Sequence, residues 1–300
     1  MAVFNILPFF ILINNPEIKA LLQLIEDPDG EIFDVVSKQI KSFGKPIIPS
    51  LEHLWEIESN VAIQSRIEKL IHELYYDELL QEWLHWKSHS QDLLAGSLLT
   101  AKYLYPELVI SNYEQAIEKI RKNIWLEINQ YLTPIEKTNV ISSMLFRHYN
   151  IQSSTIDMSN YDDFLLNKNL DSKKGNPFGL RILFLILAQK LDINIQAVDI
   201  PHQSFLAYYD DSIQLDNTPK NLLFYINPAN GQLFSTKDVA HYLQRIQVPL
   251  SADIGRPMNN MEVITNLMTK LAECSFGEDT DYKNEDLLSL ANQIISRSIS

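Results

Sequence analysis

The sequence predicts a predominantly helical α+β fold. Three observations predict it. From Pro16 to about Asn150 apolar residues recur at helical spacing with little strand alternation. The stretch Phe178–Leu187 has hardly any polar face, so it reads as a buried central helix. Beyond Leu191, short runs rich in branched and aromatic residues alternate with turn signals, as in a small antiparallel sheet. The expected order is an N-terminal helical domain, then a domain built on the central helix and sheet, then a closing C-terminal helix pair.

Pro16 suits a first helical position, where its missing amide hydrogen costs nothing, and Ile18, Leu21, Leu22 and Ile25 make one face. Asp27-Pro28-Asp29-Gly30 breaks that pattern. A second helix carries Ile32, Val35, Val36 and Ile40 to Phe43-Gly44, where glycine takes a left-handed cap, and Pro46 and Pro49 open a third piece with Leu51, Leu54 and Trp55. The short helix pair, with Asp-Pro-Asp in its turn and Gly-x-Pro near its second boundary, resembles a HEAT-type unit and is too short for a long solenoid. Ile63–Trp86, Leu93–Leu104, Tyr113–Leu132 and Pro134–Tyr149 read as further amphipathic helices. Thr133 can cap the last of them, with Pro134 in its first turn.

The polar stretch Gln152–Asp163 reads as a functional loop or a boundary. Asn176-Pro177 opens the central helix, and Asn176 is a good helix cap in its own right. Strands are expected at Ile193–Ile200, Ser204–Tyr209 and Leu222–Ile226, separated by Asp210-Asp211 and Asn217-Thr218-Pro219. Asn227-Pro228-Ala229-Asn230-Gly231 is a turn, Ser235 to Asp238 begins another helix, and Met261–Phe276 with Glu285–Ile295 forms the closing pair.

Charge and composition exclude several functions. With 25 basic against 38 acidic residues the chain carries −13, which repels phosphate backbones, so no nucleic acid partner is expected. No run of eighteen apolar residues exists to cross a bilayer, so none is expected in a membrane. The single cysteine, Cys274, permits no internal disulfide and fits a reducing compartment, the cytosol. The apolar start from Ala2 to Ile13 has no Lys or Arg ahead of it, contains Asn5 and Pro8, and lacks a small-x-small cleavage site, so it is not read as an export signal. No Gly-rich phosphate loop occurs, and no cofactor is expected.

Metal-binding patterns fall short too. His72-Glu73-Leu74-Tyr75-Tyr76 begins like a zinc-protease helix, but Tyr76 stands where the second His belongs. Glu82, His85 and His89 share a helical face without a further strong ligand. The aromatic-rich stretch holding Tyr75, Tyr76, Trp83, Trp86, Tyr103 and Tyr105 reads as packing rather than a peptide groove.

Lys173-Lys174-Gly175-Asn176-Pro177 at the head of the central helix, the strand pair, and Phe224-Tyr225-Ile226-Asn227-Pro228 together resemble the SirB-type branch of the transglutaminase-like superfamily. The resemblance runs continuously from about Asp92-Leu93-Leu94-Ala95-Gly96, through Ala101–Pro106 and Ile124–Asn129. It implies a papain-like core over 89–250, a HEAT-like helical region over 1–88, and over 251–300 a helical pair similar to a truncated tetratricopeptide-like tail. It also implies a regulatory label in some bacteria.

Catalytic relatives perform acyl transfer with Cys, His and Asp. The cysteine stands at the start of the central helix, where the helix dipole and a neighbouring imidazolium favour thiolate. Here Lys173 through Lys190 contains no Cys, Ser or Thr. The His position falls on Gln203, with His202 one residue earlier, and the Asp position is Asn227, which carries no charge to stabilise an imidazolium. No catalytic residue is therefore assigned. A remnant cleft is expected around Asn176, Pro177, Phe178, Arg181, His202, Gln203 and Asn227, with Arg181 lining it and pairing with an acidic residue or an anionic ligand. Cys274, flanked by Leu271, Ala272 and Phe276, is expected to be a packed thiol. The leading expectation is a non-catalytic pseudoenzyme that binds another protein or a small ligand. The alternatives are a cysteine-type amide or peptide hydrolase or acyl transferase using His202 with Cys274, and a purely structural assembly protein.

Overall fold

Among the described residues, side chains cap the starts of six helices, at Asp29, Asp92, Thr133, Asn176, Ser235 and Asn259. The computed structural model describes residues 16–25, 27, 29–210, 222–248, 255–277 and 281–295. The apolar start Ala2–Ile13 and the separators Asp211 and Asn217-Thr218-Pro219 lie outside them. The chain divides into two compact units, Met1–Glu82 and Trp83–Ser300. The sequence reading sets a further boundary at 250, inside the second unit.

In the first unit α1 (Pro16–Leu24) starts at its proline, and α2 (Gly30–Ser42) is capped by Asp29, whose carboxylate accepts from the Glu31 amide at 2.9 Å. Gly44 sits at φ +64°, followed by a 3-10 turn at Lys45–Ile47 and by α3 (Ile48–Ile57). Then comes α4 (Val61–His89). Ile18, Val36, Ile40, Leu51, Ile67 and Leu70 share one core. Arg66 closes the α1–α2 turn by donating to the carbonyls of Ile25 and Asp27 at 3.2 and 2.7 Å.

The second unit contributes α5 (Leu93–Leu104), α6 (Ile110–Glu127) and α7 (Pro134–Ser143). Thr133 and Glu136 form a reciprocal capping box at the head of α7, as the sequence suggests. Two helices end early. α6 stops at Glu127 rather than Leu132, because Ile128 turns extended and the Asn129 side chain accepts from the Tyr131 amide at 2.9 Å, a local turn that competes with the helix. α7 gives way at Met144 to a π-turn over Met144–His148, where the Tyr149 amide reaches back to the Met144 carbonyl.

The stretch from Gln152 opens on a short strand and closes on a 3-10 turn, with a loop over 154–160 between them. β1 (Gln152–Ser153) pairs in parallel with β2 (Lys174–Gly175), and a 3-10 turn at Tyr161–Phe164 leads into α8 (Leu166–Ser172). The central helix α9 (Pro177–Lys190) follows, with Gly179–Ala188 buried without a break. Its burial matches the all-round apolar sequence.

The main sheet holds β3 (Ile195–Val198), β4 (Leu206–Tyr209), β5 (Leu222–Ile226), β6 (Leu233–Phe234) and β7 (Pro257–Met258) in the antiparallel order β6-β5-β4-β3-β7. Leu206 opposes Ile226 and Ala207 opposes Tyr225, so alternate pairs face opposite sides. On one side Val198, Phe205, Ala207 and Tyr225 pack with Val239 and Leu243 of α10 (Thr236–Arg245). The central helix packs against β3. The face it meets is the one opposite α10, where Ile195, Ala197, Leu206 and Ile226 alternate with the α10-side residues and are themselves buried. α11 (Asn260–Leu271) packs on α12 (Asp281–Ile295) and α5. Among the described residues no helix is long and apolar enough to cross a membrane.

Candidate functional site at the head of the central helix

The chain enters α9 through a knot of buried polar groups. Asn176 has no exposed surface, and its Oδ1 accepts from the amides of Phe178 and Gly179 at 3.0 and 3.1 Å. Its own amide donates to the Asp163 carbonyl at 2.9 Å. Asn169, also fully buried, presents its amide nitrogen to the carbonyls of Asp163, Leu165 and Lys174 at 3.0 to 3.2 Å. The Asp163 carboxylate takes the Ser154 hydroxyl at 2.5 Å and lies 3.6 Å from the Lys174 ammonium. Asn169 fits only because its neighbours are glycines. A Cβ on Gly175 would meet its side chain at 2.7 Å, and one on Gly179 at 2.3 Å. Sequence reasoning did not single out Asn169 or Asp163; the one available signal was an amide at Asn169 next to Leu170 in a short helix.

Arg181 lies one turn further along α9 and is 3% exposed. Its Nη2 donates to Asn266 Oδ1 on α11 at 2.6 Å, and its guanidinium lies 5.3 Å from the centre of the Phe178 ring. Phe178 in turn stacks on Phe164, with ring centres 6.0 Å apart. The Arg181 Nε is buried without a hydrogen-bond partner, as is Asn176 Nδ2. Burial pushes the Arg181 pKa down to about 10, while the Asp199 carboxylate pulls it the other way. The guanidinium stays charged at neutral pH. The expected carboxylate partner is therefore replaced by a neutral amide, with Asp199 acting only through its field.

Topology brings the other predicted positions to the same end of the sheet. Only a short turn joins α9 to β3, with the Ile193 amide bonding the Ala188 carbonyl at 3.0 Å, so helix and strand run antiparallel. The helix start thus lies where β3 finishes, β4 begins and β5 finishes. The side chains there are engaged elsewhere. His202 is exposed at φ +60°, in a tight turn closed by the Gln203 amide on the Ile200 carbonyl at 3.0 Å. Gln203 donates to the Tyr242 hydroxyl on α10 at 3.2 Å, and that hydroxyl donates to the Pro201 carbonyl at 3.0 Å. Gln203 thus points to the α10 side of the sheet, away from the central helix. Asn227 spends its side chain on the turn after β5, accepting from the Ala229 amide at 2.9 Å. Tyr242, which fixes Gln203, left no signal in the sequence.

Cys274 follows α11 and is 3% exposed. Its sulfur lies 3.9 Å from Met158 Sδ and 3.5 Å from the Lys270 carbonyl. Burial raises its pKa to about 11, with Glu273 and Asp157 adding to the effect and Lys270 opposing it. From the ordinary value near 9, that shift lowers the thiolate fraction at pH 8 roughly 100-fold. Iodoacetamide at pH 8 is therefore expected to modify Cys274 at the rate at which the protein unfolds, measured by mass spectrometry against a denaturant series. Rapid modification of the native chain would contradict the packed thiol.

The rings of His85 and His89 stack at 4.2 Å on the exposed side of α4. Among the described residues no group of three or more His, Cys, Asp or Glu side chains is placed to hold a metal ion. Trp83 and Trp86 are buried edge to face, and the Trp86 indole donates to the Asp92 carbonyl at 2.7 Å. Chemically, the start of α9 offers a helix N-terminus whose first free amides are already taken by Asn176, beside a buried cation held by an amide.

No curated protein and no solved structure matches the chain. A family model of the transglutaminase-like superfamily matches residues 111–269, a span that opens on α6, includes the central helix and the whole sheet, and closes on α11. Since that match covers over half of the sequence, with a buried helix followed by antiparallel strands at its centre, the chain belongs to the transglutaminase-like superfamily.

Proposed function

We propose that the protein is a non-catalytic member of the SirB-type branch of this superfamily, a cytoplasmic regulatory or binding scaffold rather than an acyl transferase. Its partner is another protein or a small ligand, with no role for nucleic acid or a membrane. Residues 1–88 serve as a HEAT-like region and residues 251–300 as a truncated tetratricopeptide-like pair. One observation carries this reading: the first turn of α9 presents no nucleophile, and its free amides are closed by Asn176. The engagement of Gln203 and Asn227 away from the helix start supports it. Acyl-transfer chemistry depends on residues acting as a unit, and losing one member commonly costs about 10⁴-fold or more. Of the expected remnant cleft, Pro177, Phe178 and His202 reach the surface, whereas Asn176 and Arg181 are buried and Gln203 and Asn227 bond elsewhere.

The competing hydrolase reading needs Cys274 to meet His202. It has against it a sulfur packed on Met158 and the Lys270 carbonyl. The test is an assay of the purified chain with peptide and glutamine-amide substrates and a primary amine acceptor. The expected result is no ammonia or product release above that of the Cys274→Ser and His202→Ala variants. Turnover that disappears in either variant would overturn the proposal.

A further inference from the structure

At the opposite end of α9 from its capped start lies a groove of about 640 Å³. Six carboxamides line it, those of Gln91, Gln189, Asn194, Gln196, Asn259 and Asn260, and no lining residue is charged or aromatic. Several of these amides hold one another. Gln189 Nε2 donates to Asn260 Oδ1 at 2.8 Å, Asn260 Nδ2 to the Gln91 carbonyl at 3.0 Å, and Gln196 Nε2 to Asn194 Oδ1 at 3.1 Å. Among the described residues Gln91 Oε1, Gln196 Oε1 and Asn259 Nδ2 have no such bond. The groove therefore carries both acceptors and donors, and no net charge.

The sheet edge opens into the same groove. β7 ends at Met258, opposite Ala197, because Asn259 turns the chain into α11 by capping it. Among the described residues, Ile195 and Gln196 consequently have β4 on one side and no strand on the other. The Tyr209 amide bonds the Asn194 carbonyl and the Val198 amide bonds the Phe205 carbonyl, so even-numbered residues of β3 point their backbone groups at β4. Alternation then turns the Ile195 carbonyl toward the space past β7. The Ile195 amide is occupied by the Ile193 carbonyl at 2.7 Å.

We propose that this groove binds a short extended peptide segment with uncharged side chains, which continues the sheet edge past Met258. Peptide groups, like carboxamides, each carry one kind of donor and one acceptor, and the Ile195 carbonyl at the strand edge adds a main-chain acceptor for a peptide amide. A charged side chain entering the groove loses hydration and finds no counter-charge there. A saccharide finds no aromatic ring to stack on.

The test uses the full-length ¹⁵N-labelled chain. It is titrated with a pool of acetylated, amidated hexapeptides of Gly, Ala, Ser, Thr, Asn and Gln, with a matched pool carrying Lys or Glu at alternate positions, and with maltohexaose. Saturable shifts of the Ile195, Gln196 and Met258 amides are expected with the neutral pool alone. Gln196→Glu and Asn259→Asp are expected to weaken that binding at least tenfold; Asp retains the capping oxygen, so α11 keeps its start. No saturable shift at these amides, equal binding of the charged pool, preference for maltohexaose, or unchanged affinity in both variants would each overturn the proposal.

Discussion

Gly179→Ala is expected to destabilise the second unit by about 3 kcal/mol, at the upper end of what overpacking costs. The new Cβ would lie 2.3 Å from the end of the Asn169 carboxamide, 2.6 Å from the Asp163 carbonyl oxygen and 3.1 Å from the Phe164 carbonyl oxygen. Two of those three atoms are backbone and cannot rotate away. The third belongs to a side chain that bridges three carbonyls, so moving it exchanges a clash for unpaired buried acceptors. Alanine gains up to about 1 kcal/mol over glycine in helix propensity, which is too little to offset this. Thermal unfolding should shift down by roughly 10 °C for a unit of this size. A shift under 2 °C would show that the Asn169 bridge yields to the added methyl group.

The second large effect concerns the buried cation. Asn266→Leu is expected to cost about 3 kcal/mol, because it deprives the Arg181 guanidinium of the acceptor it has among the described residues, in a site already poor in solvent. Arg181→Met removes the charge itself, and with Asn266→Leu it converts the contact to hydrocarbon. The double variant should match or exceed the wild type in stability, since replacing a buried polar pair by well-packed apolar groups is often neutral or favourable. Urea unfolding of the four proteins in the cycle gives the coupling directly. Additive losses in the double variant would show that Arg181 does not depend on Asn266.

Such polar detail lies at the limit of what a sequence discloses. The central helix was legible because Leu180 and Ile182–Leu187 leave only one outcome, burial on all sides. The heads of α7 and α10 were legible because Thr133 and Ser235 bond amides three residues ahead. Helix ends were harder. Asn129 stops α6 through a bond to its own backbone, a choice that periodicity does not register. β1, β2, β6 and β7 are two residues each, too short for alternation to show, and they pair with partners that only the folded chain brings close.

The site divides in the same way. The missing nucleophile and the Asn176 cap could be read from residue identity and order. The direction of Gln203 could not. It follows from the positive φ at His202, which turns the backbone just before β4, and from a Tyr242 hydroxyl 39 residues away in sequence. Arg181 stood out as a cation in an apolar helix, but its neutral partner Asn266 comes from another element, 85 residues on.

The pairing of Ala197 with Met258 has a kinetic consequence. It joins two points about 60 residues apart, so the chain must close a long loop before that contact returns any energy. By contrast, α1 and α2 meet across one short turn and need no such closure. The α1–α2 pair should therefore form earlier during refolding, while the last edge of the sheet is laid down late.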